Sequence, residues 1–305
     1  MSDSPPPTGL EQLLTEQRNP ASQEIDAKPT AEILSIINKA DYEVAPAVER
    51  EIPNIARAVD GIVAALERGG RLFYIGAGTS GRLGVLDAAE CAPTFNVSSD
   101  LVQGVIAGGE TALARATEAS EDDPKMGWLD LLDRGFTNHD VLAGIAASGR
   151  TPYVIGAVER ARAVGALTIG ISCTPNSRLA LTAEVAITPA PGPEVITGST
   201  RMRAGTATKL VLNMLSTAVM IRLGYVYGNL MVNVQPKNAK LEARARRIIT
   251  EAAGVSYERA AELLTQARGK VSTAILMARL ALDREGAEAR LAAARGRISE
   301  ALKNG

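Results

Sequence analysis

The stretch Arg71-Leu-Phe-Tyr-Ile-Gly-Ala-Gly-Thr-Ser-Gly-Arg82 decides the fold. Its first part is a run of apolar and aromatic residues that ends in glycine, which is typical of a buried strand. The second part is rich in glycine and hydroxyl groups, and apolar residues at helical spacing continue through Leu83 and Val85 to Leu86. A strand, a glycine turn and a helix in this order predict one unit of a parallel α/β sheet.

Four further apolar runs repeat this order along the middle of the chain. They lie at residues 101–106, 141–146, 167–172 and 185–188. A helical pattern runs from Pro152 towards Val164, and a long one runs from Arg201 to Leu223. Strands that are uniformly apolar are buried on both faces. The predicted fold class is therefore α/β, a parallel sheet sandwiched by helices.

The two ends of the chain differ from this middle region. With 305 residues, the chain has room for about two domains. Residues 1–30 are polar and proline-bearing, which predicts an extended arm, whereas residues 31–68 carry apolar side chains at helical spacing, with Pro53 at or near a helix start. Beyond Asn238 the pattern is wholly helical, and Ser256 is an expected N-cap. We expect an arm over 1–30, an α/β domain with N-terminal helices over 31–235, and a small helical bundle over 236–305.

Charge and composition exclude several classes of protein. The chain has 33 Lys and Arg against 34 Asp and Glu, whereas a general polyanion binder needs an excess of basic residues. Aromatic residues make up 3% of the chain, too few for a base-stacking platform. The basic run Arg244-Ala-Arg-Arg247 is interpreted as a solvated helix face. We therefore expect no nucleic-acid partner.

Neither a leader nor a membrane anchor is expected. Residues 1–9 lack the apolar run of a signal peptide. The longest strongly apolar segment, Leu210 to Ile221, is shorter than the ~20 residues that span a bilayer. These two observations predict a cytoplasmic protein without a membrane partner.

Few residues are available for metal or nucleophilic chemistry. Cys91 and Cys173 are the only cysteines and lie far apart, so neither a disulfide framework nor a cysteine zinc site is expected. His139 is the only histidine, which excludes a metal site built from several histidines. We interpret Cys91 as a packed free thiol and His139 as a structural residue. Chemistry is expected to use carboxylates and hydroxyls, without a metal.

Three strand-to-helix loops place hydroxyl groups beside glycine. We name them loop 1 (residues 76–82), loop 2 (residues 147–152) and loop 3 (residues 198–206). Each taken alone is compatible with an ordinary turn and helix N-cap, since Ser, Thr and Gly are common there. Together, at the carboxyl edge of a parallel sheet, they favour a phosphorylated, hydroxyl-rich small molecule such as a sugar phosphate. The candidate binding residues are Thr79, Ser80, Ser148, Arg150, Thr151, Ser199, Thr200 and Arg201.

Long segments of the chain resemble a known family. They are GAGTSGRLGVLDAAECAPTF from residue 76, IAGGE from 106, EASEDD from 118, GIAASGRTPYVIGA from 144, GISCTPNS from 170 and PEVITGSTRMRAGTATKLVLNMLST from 193. In this order and spacing they are similar to the N-acetylmuramic acid 6-phosphate etherases. The resemblance covers nearly the whole chain. It implies a sugar isomerase (SIS) domain of flavodoxin-like type, a C-terminal domain of ubiquitin-associated type, a homodimer, and no metal or organic cofactor.

The resemblance also implies a substrate and two catalytic carboxylates. The substrate is N-acetylmuramic acid 6-phosphate, and the products are N-acetylglucosamine 6-phosphate and D-lactate, within cell-wall recycling. Glu90 matches the proton-donating glutamate in the motif DAAEC, and Glu121 matches a second catalytic glutamate. Arg203 departs from the family, which more often has lysine there, and arginine and lysine differ in the geometry of their hydrogen-bond donors.

An ether is hard to break directly, because an alkoxide is a poor leaving group. If the muramic ring opens, C1 becomes an aldehyde and the proton on C2 becomes acidic. A base then removes that proton, lactate leaves from C3 with a proton from an acid, and water adds to the unsaturated aldehyde. This scheme needs one ionised and one protonated carboxyl group.

The expected roles are Glu90 as the acid and Glu121 as the base. Cys91, Ala92 and Pro93 follow Glu90, and we expect them to desolvate it and favour its protonated form. From the residues alone, Glu90 could equally be a surface residue at a helix end, and Glu121 could belong to a solvated acidic loop. Arg201 could pair with the phosphate or with the lactyl carboxylate.

Two other functions suit the same loops. A non-catalytic sugar-phosphate sensor, similar to the glucokinase regulatory protein, would bind without turnover and would not need both glutamates. An aldose–ketose isomerase would also use a carboxylate base, but it would not need a group that handles an ether on C3. A SIS-type transcription regulator would need a basic helix-turn-helix, whereas residues 31–68 are mixed in charge.

Overall fold

The apolar run at residues 71–76 forms the strand β1, Leu72–Gly76, at the centre of a five-stranded sheet. The structure is a computed structural model, and it describes residues 14–115, 121–236 and 238–303. The other strands are β2 (Val102–Ile106), β3 (Val141–Ile145), β4 (Leu167–Ile171) and β5 (Val185–Ile187). All neighbouring strands are parallel. The α/β prediction is confirmed, and each predicted strand is present with bounds that agree to within a residue.

The strands follow the order β2-β1-β3-β4-β5. The chain leaves β1 towards β2 on one side and returns to β3 on the other, so the topological switch point lies between β1 and β3. In open α/β sheets, ligands bind at this point, beyond the carboxyl ends of the strands. Gly76 is in register with Ile145 of β3, so loops 1 and 2 leave the sheet at the same level.

Helices cover both faces of the sheet. They are α1 (Thr30–Asp41), α2 (Val44–Glu49), α3 (Ile52–Glu67), α4 (Gly78–Phe95), α5 (Thr111–Ala114), α6 (Met126–Asp133), α7 (Pro152–Ala163), α8 (Arg178–Thr182) and α9 (Arg203–Arg222). On one face, Leu131 of α6 and Val158 of α7 pack against Leu142 of β3. On the other, Gly84 of α4 lies so close to Tyr74 that a Cβ there would be 3.0 Å from the tyrosine Cβ. Proline stands at the start of α3, as predicted.

The described part of the N-terminal arm is folded rather than simply extended. Residues 14–27 contain three short 3-10 helices: Leu14–Glu16, Pro20–Ser22 and Ile25–Ala27. The backbone oxygen of Thr15 accepts a hydrogen bond from the Gly198 N–H at 3.2 Å, and the Ser22 hydroxyl donates to the Val195 oxygen at 2.7 Å. The arm is therefore hydrogen-bonded to the segment that leads into loop 3 and to the first residue of that loop. Residues 1–13 of the predicted arm lie outside the described residues.

The C-terminal helices are α10 (Ala239–Ala253), α11 (Tyr257–Gln266), α12 (Val271–Leu280), α13 (Arg284–Ala293) and α14 (Ile298–Lys303). Their apolar faces form one core that includes Ile249, Leu263 and Ile275. The predicted N-cap is confirmed, because the Ser256 hydroxyl accepts a hydrogen bond from the Arg259 N–H at 3.1 Å.

The described chain divides into two compact units. The first contains the described residues up to Ala89 together with Asp100–Ser216, and the second contains Glu90–Ser99 and the described residues from Thr217. The second unit thus begins before the boundary expected at residue 235 and also takes in the end of α4. Helix α9 is apolar and long enough to span a membrane by composition, but 56% of its apolar window is buried inside the protein, as is typical of a core helix.

Candidate active site

Loop 1 is a tight turn between β1 and α4. A Cβ on Gly76 would lie 2.7 Å from the Gly81 nitrogen, and Gly78 has a φ of +52°, where an L-residue is strained. Glycine is therefore required at both positions for α4 to begin directly after the strand. Thr79 and Ser80 are half-buried in its first turn, where unpaired helix N–H groups favour an anion.

Loop 2 is fixed by the segment that follows β4. Gly149 has a φ of +66°, and a Cβ there would lie 2.1 Å from the Ser177 Oγ. The Gly149 oxygen accepts a hydrogen bond from the Leu179 N–H at 3.0 Å. Thr151 is the N-cap residue of α7, but its side chain makes no capping hydrogen bond. The ordinary N-cap interpretation therefore fails for the Thr151 hydroxyl, which is left for another partner.

Loop 3 leads into α9, and its own hydroxyl groups do not cap that helix. The Glu194 carboxylate does so: it accepts hydrogen bonds from the Arg203 and Ala204 N–H groups, each at 2.9 Å. Ser199 and Thr200 are half-buried on the loop and Arg201 is exposed. Capping by a residue outside the loop leaves these side chains available to a ligand.

The first unit brings the three loops and Glu121 together. A Cβ on Gly205 would lie 3.6 Å from Thr79 Cγ2 and 3.5 Å from the Thr200 oxygen, which joins loops 1 and 3. A Cβ on Gly78 would lie 3.6 Å from Glu121 Oε1. The Glu121 backbone oxygen accepts a hydrogen bond from the Tyr153 N–H, just after loop 2, at 3.1 Å. Glu121 therefore lies over loop 1 and beside the start of α7.

Glu90 is not part of this group in the first unit. It lies on α4 at the start of the second unit and is exposed in the single chain. The expectation that its neighbours desolvate it is therefore wrong for the single chain: Cys91 is buried, but the carboxylate one position earlier on the helix points away from that core. The alternative of a solvated acidic loop does not describe Glu121, which is half-buried.

Arg203 has a structural role rather than a direct place in the site. Its side chain is 6% exposed, and Nη1 donates a hydrogen bond to the Pro193 oxygen at 2.8 Å. The guanidinium is thus committed to the backbone before loop 3. Arg150 is exposed on loop 2, so the described chain holds neither Arg150 nor Arg201 in a buried ion pair.

Sequence reasoning missed Glu194 and Ser177. Glu194 is 1% exposed, and burial raises the pKa of its carboxyl group, while the two backbone N–H groups act in the opposite direction. Ser177 shares a hydrogen bond of 2.9 Å with Ser172 beneath loop 2. Both residues lie in segments that carry the family resemblance, but nothing in local spacing indicated what they contact.

The remaining candidates behave as structural residues. Cys91 is buried and forms no disulfide, as predicted. Cys173 is also buried, and burial raises the pKa of its thiol to about 12, which makes it unreactive at neutral pH. His139 is exposed, and its backbone N–H donates to the Thr137 hydroxyl. Over residues 14–115, 121–236 and 238–303, no cluster of three or more metal-ligating side chains is present.

Comparisons with known proteins identify the relatives of this chain. A family model described as the glucokinase regulatory protein N-terminal SIS domain matches residues 54–162. The N-acetylmuramic acid 6-phosphate etherase of Aliivibrio fischeri is 53% identical over 97% of this chain and 98% of its own. That of Aeromonas hydrophila is 54% identical over 95% of this chain and 98% of its own.

Among solved structures, a phosphoheptose isomerase from Francisella tularensis is 18% identical, with a TM-score of 0.45, and covers 65% of this chain and 97% of its own. The two etherases decide the family, since each is more than half identical along almost its entire length. The chain belongs to the N-acetylmuramic acid 6-phosphate etherase family.

Proposed function

We propose that this protein is an N-acetylmuramic acid 6-phosphate etherase, a carbon–oxygen lyase that converts its substrate and water into N-acetylglucosamine 6-phosphate and D-lactate. The observation that carries the proposal is the meeting of loops 1 and 3 with Glu121 at the switch point of the sheet. The names of relatives that cover nearly the whole chain supply the substrate. We further propose that it acts in the cytoplasm as a homodimer, in amino sugar recycling.

The loops would hold the phosphorylated end of the substrate. The first turn of α4 offers backbone N–H groups with the hydroxyls of Thr79 and Ser80, a combination that suits a phosphate. Ser148, Thr151, Ser199 and Thr200 would bind the remaining phosphate oxygens and the sugar hydroxyls. Arg150 and Arg201 are exposed on their loops, where they can close over an anion after it binds.

Glu121 would act as the base. After ring opening, its carboxylate takes the proton from C2, and the electron pair of the C2–H bond moves towards the C1 aldehyde. Its position over Gly78 suits this role, because a glycine leaves room beside the carboxylate for the sugar. Well-placed acid–base groups of this kind contribute about 10²–10⁴-fold in rate.

Glu90 would act as the acid on the leaving group. The C3–O bond breaks, the lactate oxygen takes the proton of Glu90, and an unsaturated aldehyde remains. Water then adds at C3: Glu90 removes a proton from the water, and Glu121 returns its proton to C2. Both carboxyl groups thus regain their starting states. The pairing of Glu90 with Glu121 on one substrate rests on the family resemblance.

The test is to incubate the protein with N-acetylmuramic acid 6-phosphate in D₂O or H₂¹⁸O and to analyse the products by mass spectrometry. The proposal predicts D-lactate, with solvent deuterium at C2 and solvent oxygen at C3 of the sugar. Lactate without this labelling would indicate direct displacement and would overturn the roles of both glutamates. Bound sugar phosphate without lactate release would place the protein among the sensors.

A further inference from the structure

Glu90 lines a cavity in the second unit, and the other polar residues of that cavity have no role in the proposed reaction. It has a volume of about 620 Å³ and is lined by Glu90, Arg244, Asn96, Gln235, Met231 and Val234, among others. Small-molecule sites commonly measure ~300–1,000 Å³ and combine apolar walls with a few polar groups. This cavity has the size and the lining that a small organic anion needs.

Arg244 differs from the other arginines of its basic run. Arg246 is bonded to Glu242, and its guanidinium lies 5.7 Å from the centre of the Tyr257 ring. Arg247 does not line the cavity. Within the part of the chain that the structure describes, neither Arg244 nor Glu90 forms a side-chain hydrogen bond or an ion pair. Arg244 and Arg247 are both exposed, as the interpretation of the run as a solvated face predicts, and Arg244 differs in lining the cavity.

We propose that Arg244 binds the carboxylate of the lactyl group and holds the ether oxygen against Glu90. This inference rests on the proposed function and assigns one end of its substrate. In the lactyl group, one carbon separates the carboxylate from the ether oxygen, so a residue that fixes the carboxylate also fixes that oxygen. A guanidinium pairs with a carboxylate through two parallel hydrogen bonds. Met231 and Val234 supply an apolar wall for the lactyl methyl group.

The arrangement separates two tasks within the cavity. Glu90 exchanges a proton with the ether oxygen, whereas Arg244 exchanges none and balances the charge of the carboxylate. Arg244 is therefore a specificity residue: it distinguishes a lactyl ether from an alkyl ether of the same sugar phosphate. It also removes the ambiguity over Arg201, which is left to bind at the phosphorylated end.

The experiment compares two substrates, N-acetylmuramic acid 6-phosphate and the 3-O-ethyl ether of N-acetylglucosamine 6-phosphate, which lacks the carboxylate. We expect Arg244→Ala to lower kcat/KM for the lactyl ether roughly 10- to 100-fold, because charge-assisted hydrogen bonds are lost. The same variant should change kcat/KM for the ethyl ether less than threefold. Arg244→Lys should recover part of the loss, and inhibition by free D-lactate should weaken in parallel.

Arg247→Ala is the matched control, since it removes a neighbouring exposed arginine that does not line the cavity; both substrates should react as with the unaltered protein. Equal losses on both substrates, or no loss on either, would overturn the role of Arg244. Thermal unfolding of each variant shows whether a loss of activity is due to misfolding. If Arg244→Ala is misfolded, the ratio of kcat/KM for the two substrates is measured with Arg244→Lys instead. An unaltered protein that releases no lactate would instead overturn the proposed function itself.

Discussion

Glu194 holds the backbone of Arg203 at the start of α9. Its Oε2 accepts the Arg203 N–H at 2.9 Å, while its Oε1 accepts the N–H of the next residue at the same distance. The Arg203 guanidinium returns to the backbone oxygen of Pro193, one residue before Glu194. This closed set of contacts fixes both ends of the segment that becomes loop 3, so the loop is shaped by residues that need not touch the substrate.

Replacing Glu194 with alanine should therefore destabilise the protein strongly. The change leaves two helix N–H groups without their acceptor, and it leaves the buried Arg203 guanidinium without a neighbouring carboxylate. Together these losses cost about 3 kcal/mol of unfolding free energy. Urea unfolding followed by circular dichroism measures this free energy. Glu184→Ala is the control, because that carboxylate is exposed, and its loss should change the free energy of unfolding by less than about 0.5 kcal/mol. Equal effects of the two changes would contradict the capping role.

Gly149→Ala should damage loop 2 more than a similar change elsewhere. Its φ of +66° strains any L-residue, and the new Cβ would lie 2.1 Å from Ser177 Oγ and 2.3 Å from Ser177 Cβ. The loop must move to relieve this overlap, so we expect KM for the sugar phosphate to rise at least about 10-fold, the effect of losing about 1.4 kcal/mol of binding.

Gly165→Ala is the matched control, because it introduces the backbone strain without the steric overlap. Gly165 has a φ of +90°, but a Cβ there meets nothing within 4 Å. It should cost about 1–2 kcal/mol of stability through the left-handed conformation alone and leave KM unchanged. If both variants raised KM equally, the proposed contact between loop 2 and the substrate would be refuted.

The sheet and its three loops could be predicted because they depend on local sequence. A run such as Leu72 to Gly76 is apolar throughout, and the glycine turn after it leaves few alternatives to a strand followed by a helix. The strand bounds follow from the same runs. The exposed position of Glu90 could not be predicted, because the next residue, Cys91, is buried on the same helix and only the packing of α4 decides which of the two faces the core.

The support around the site could not be predicted, because it joins residues that are distant in the chain. Glu194 reaches across nine and ten residues to cap α9, and Asp87 reaches Asn213 across 126 residues. No periodic pattern marks such a pair, since one buried polar residue resembles another until its partner is known. The contact of the N-terminal arm with Val195 was missed for the same reason.

Asp87 should make stability depend on pH. It is 6% exposed and accepts hydrogen bonds from Asn213 at 2.7 Å and Ser216 at 3.1 Å. Burial raises the pKa of its carboxyl group above the ordinary 3.8, although these hydrogen bonds oppose the shift. Between 3.8 and the raised pKa, the folded protein holds more protons than the unfolded chain, so this contribution to stability is largest below 3.8 and is lost as pH rises.

Asp87→Asn removes that titration. We expect the variant to become more stable relative to the unaltered protein as pH rises from about 4 to 7, because only the unaltered protein loses this contribution to its free energy of unfolding. Urea unfolding at several pH values measures it. Ser216→Ala removes only one hydrogen bond that lowers the pKa, so its pH dependence should be as strong as that of the unaltered protein or stronger. A difference that is constant with pH would mean that Asp87 does not titrate as described.

Variants of the two glutamates proposed as acid and base should fail at different steps. Glu121→Gln removes the base, so we expect the rates of deuterium uptake at C2 and of lactate release both to fall to about 10⁻² to 10⁻⁴ of their original values. Glu90→Gln keeps the base and loses the acid, so lactate release should fall by a similar factor while C2 still exchanges in D₂O. Mass spectrometry of recovered substrate measures the exchange.

Both variants should bind N-acetylglucosamine 6-phosphate with an affinity within about threefold of that of the unaltered protein, because loop 1 is intact. Glu159→Gln is the control variant: it removes an exposed carboxylate paired with Arg178 and should leave both rates unchanged. Exchange that disappears in Glu90→Gln and persists in Glu121→Gln would reverse the two assignments.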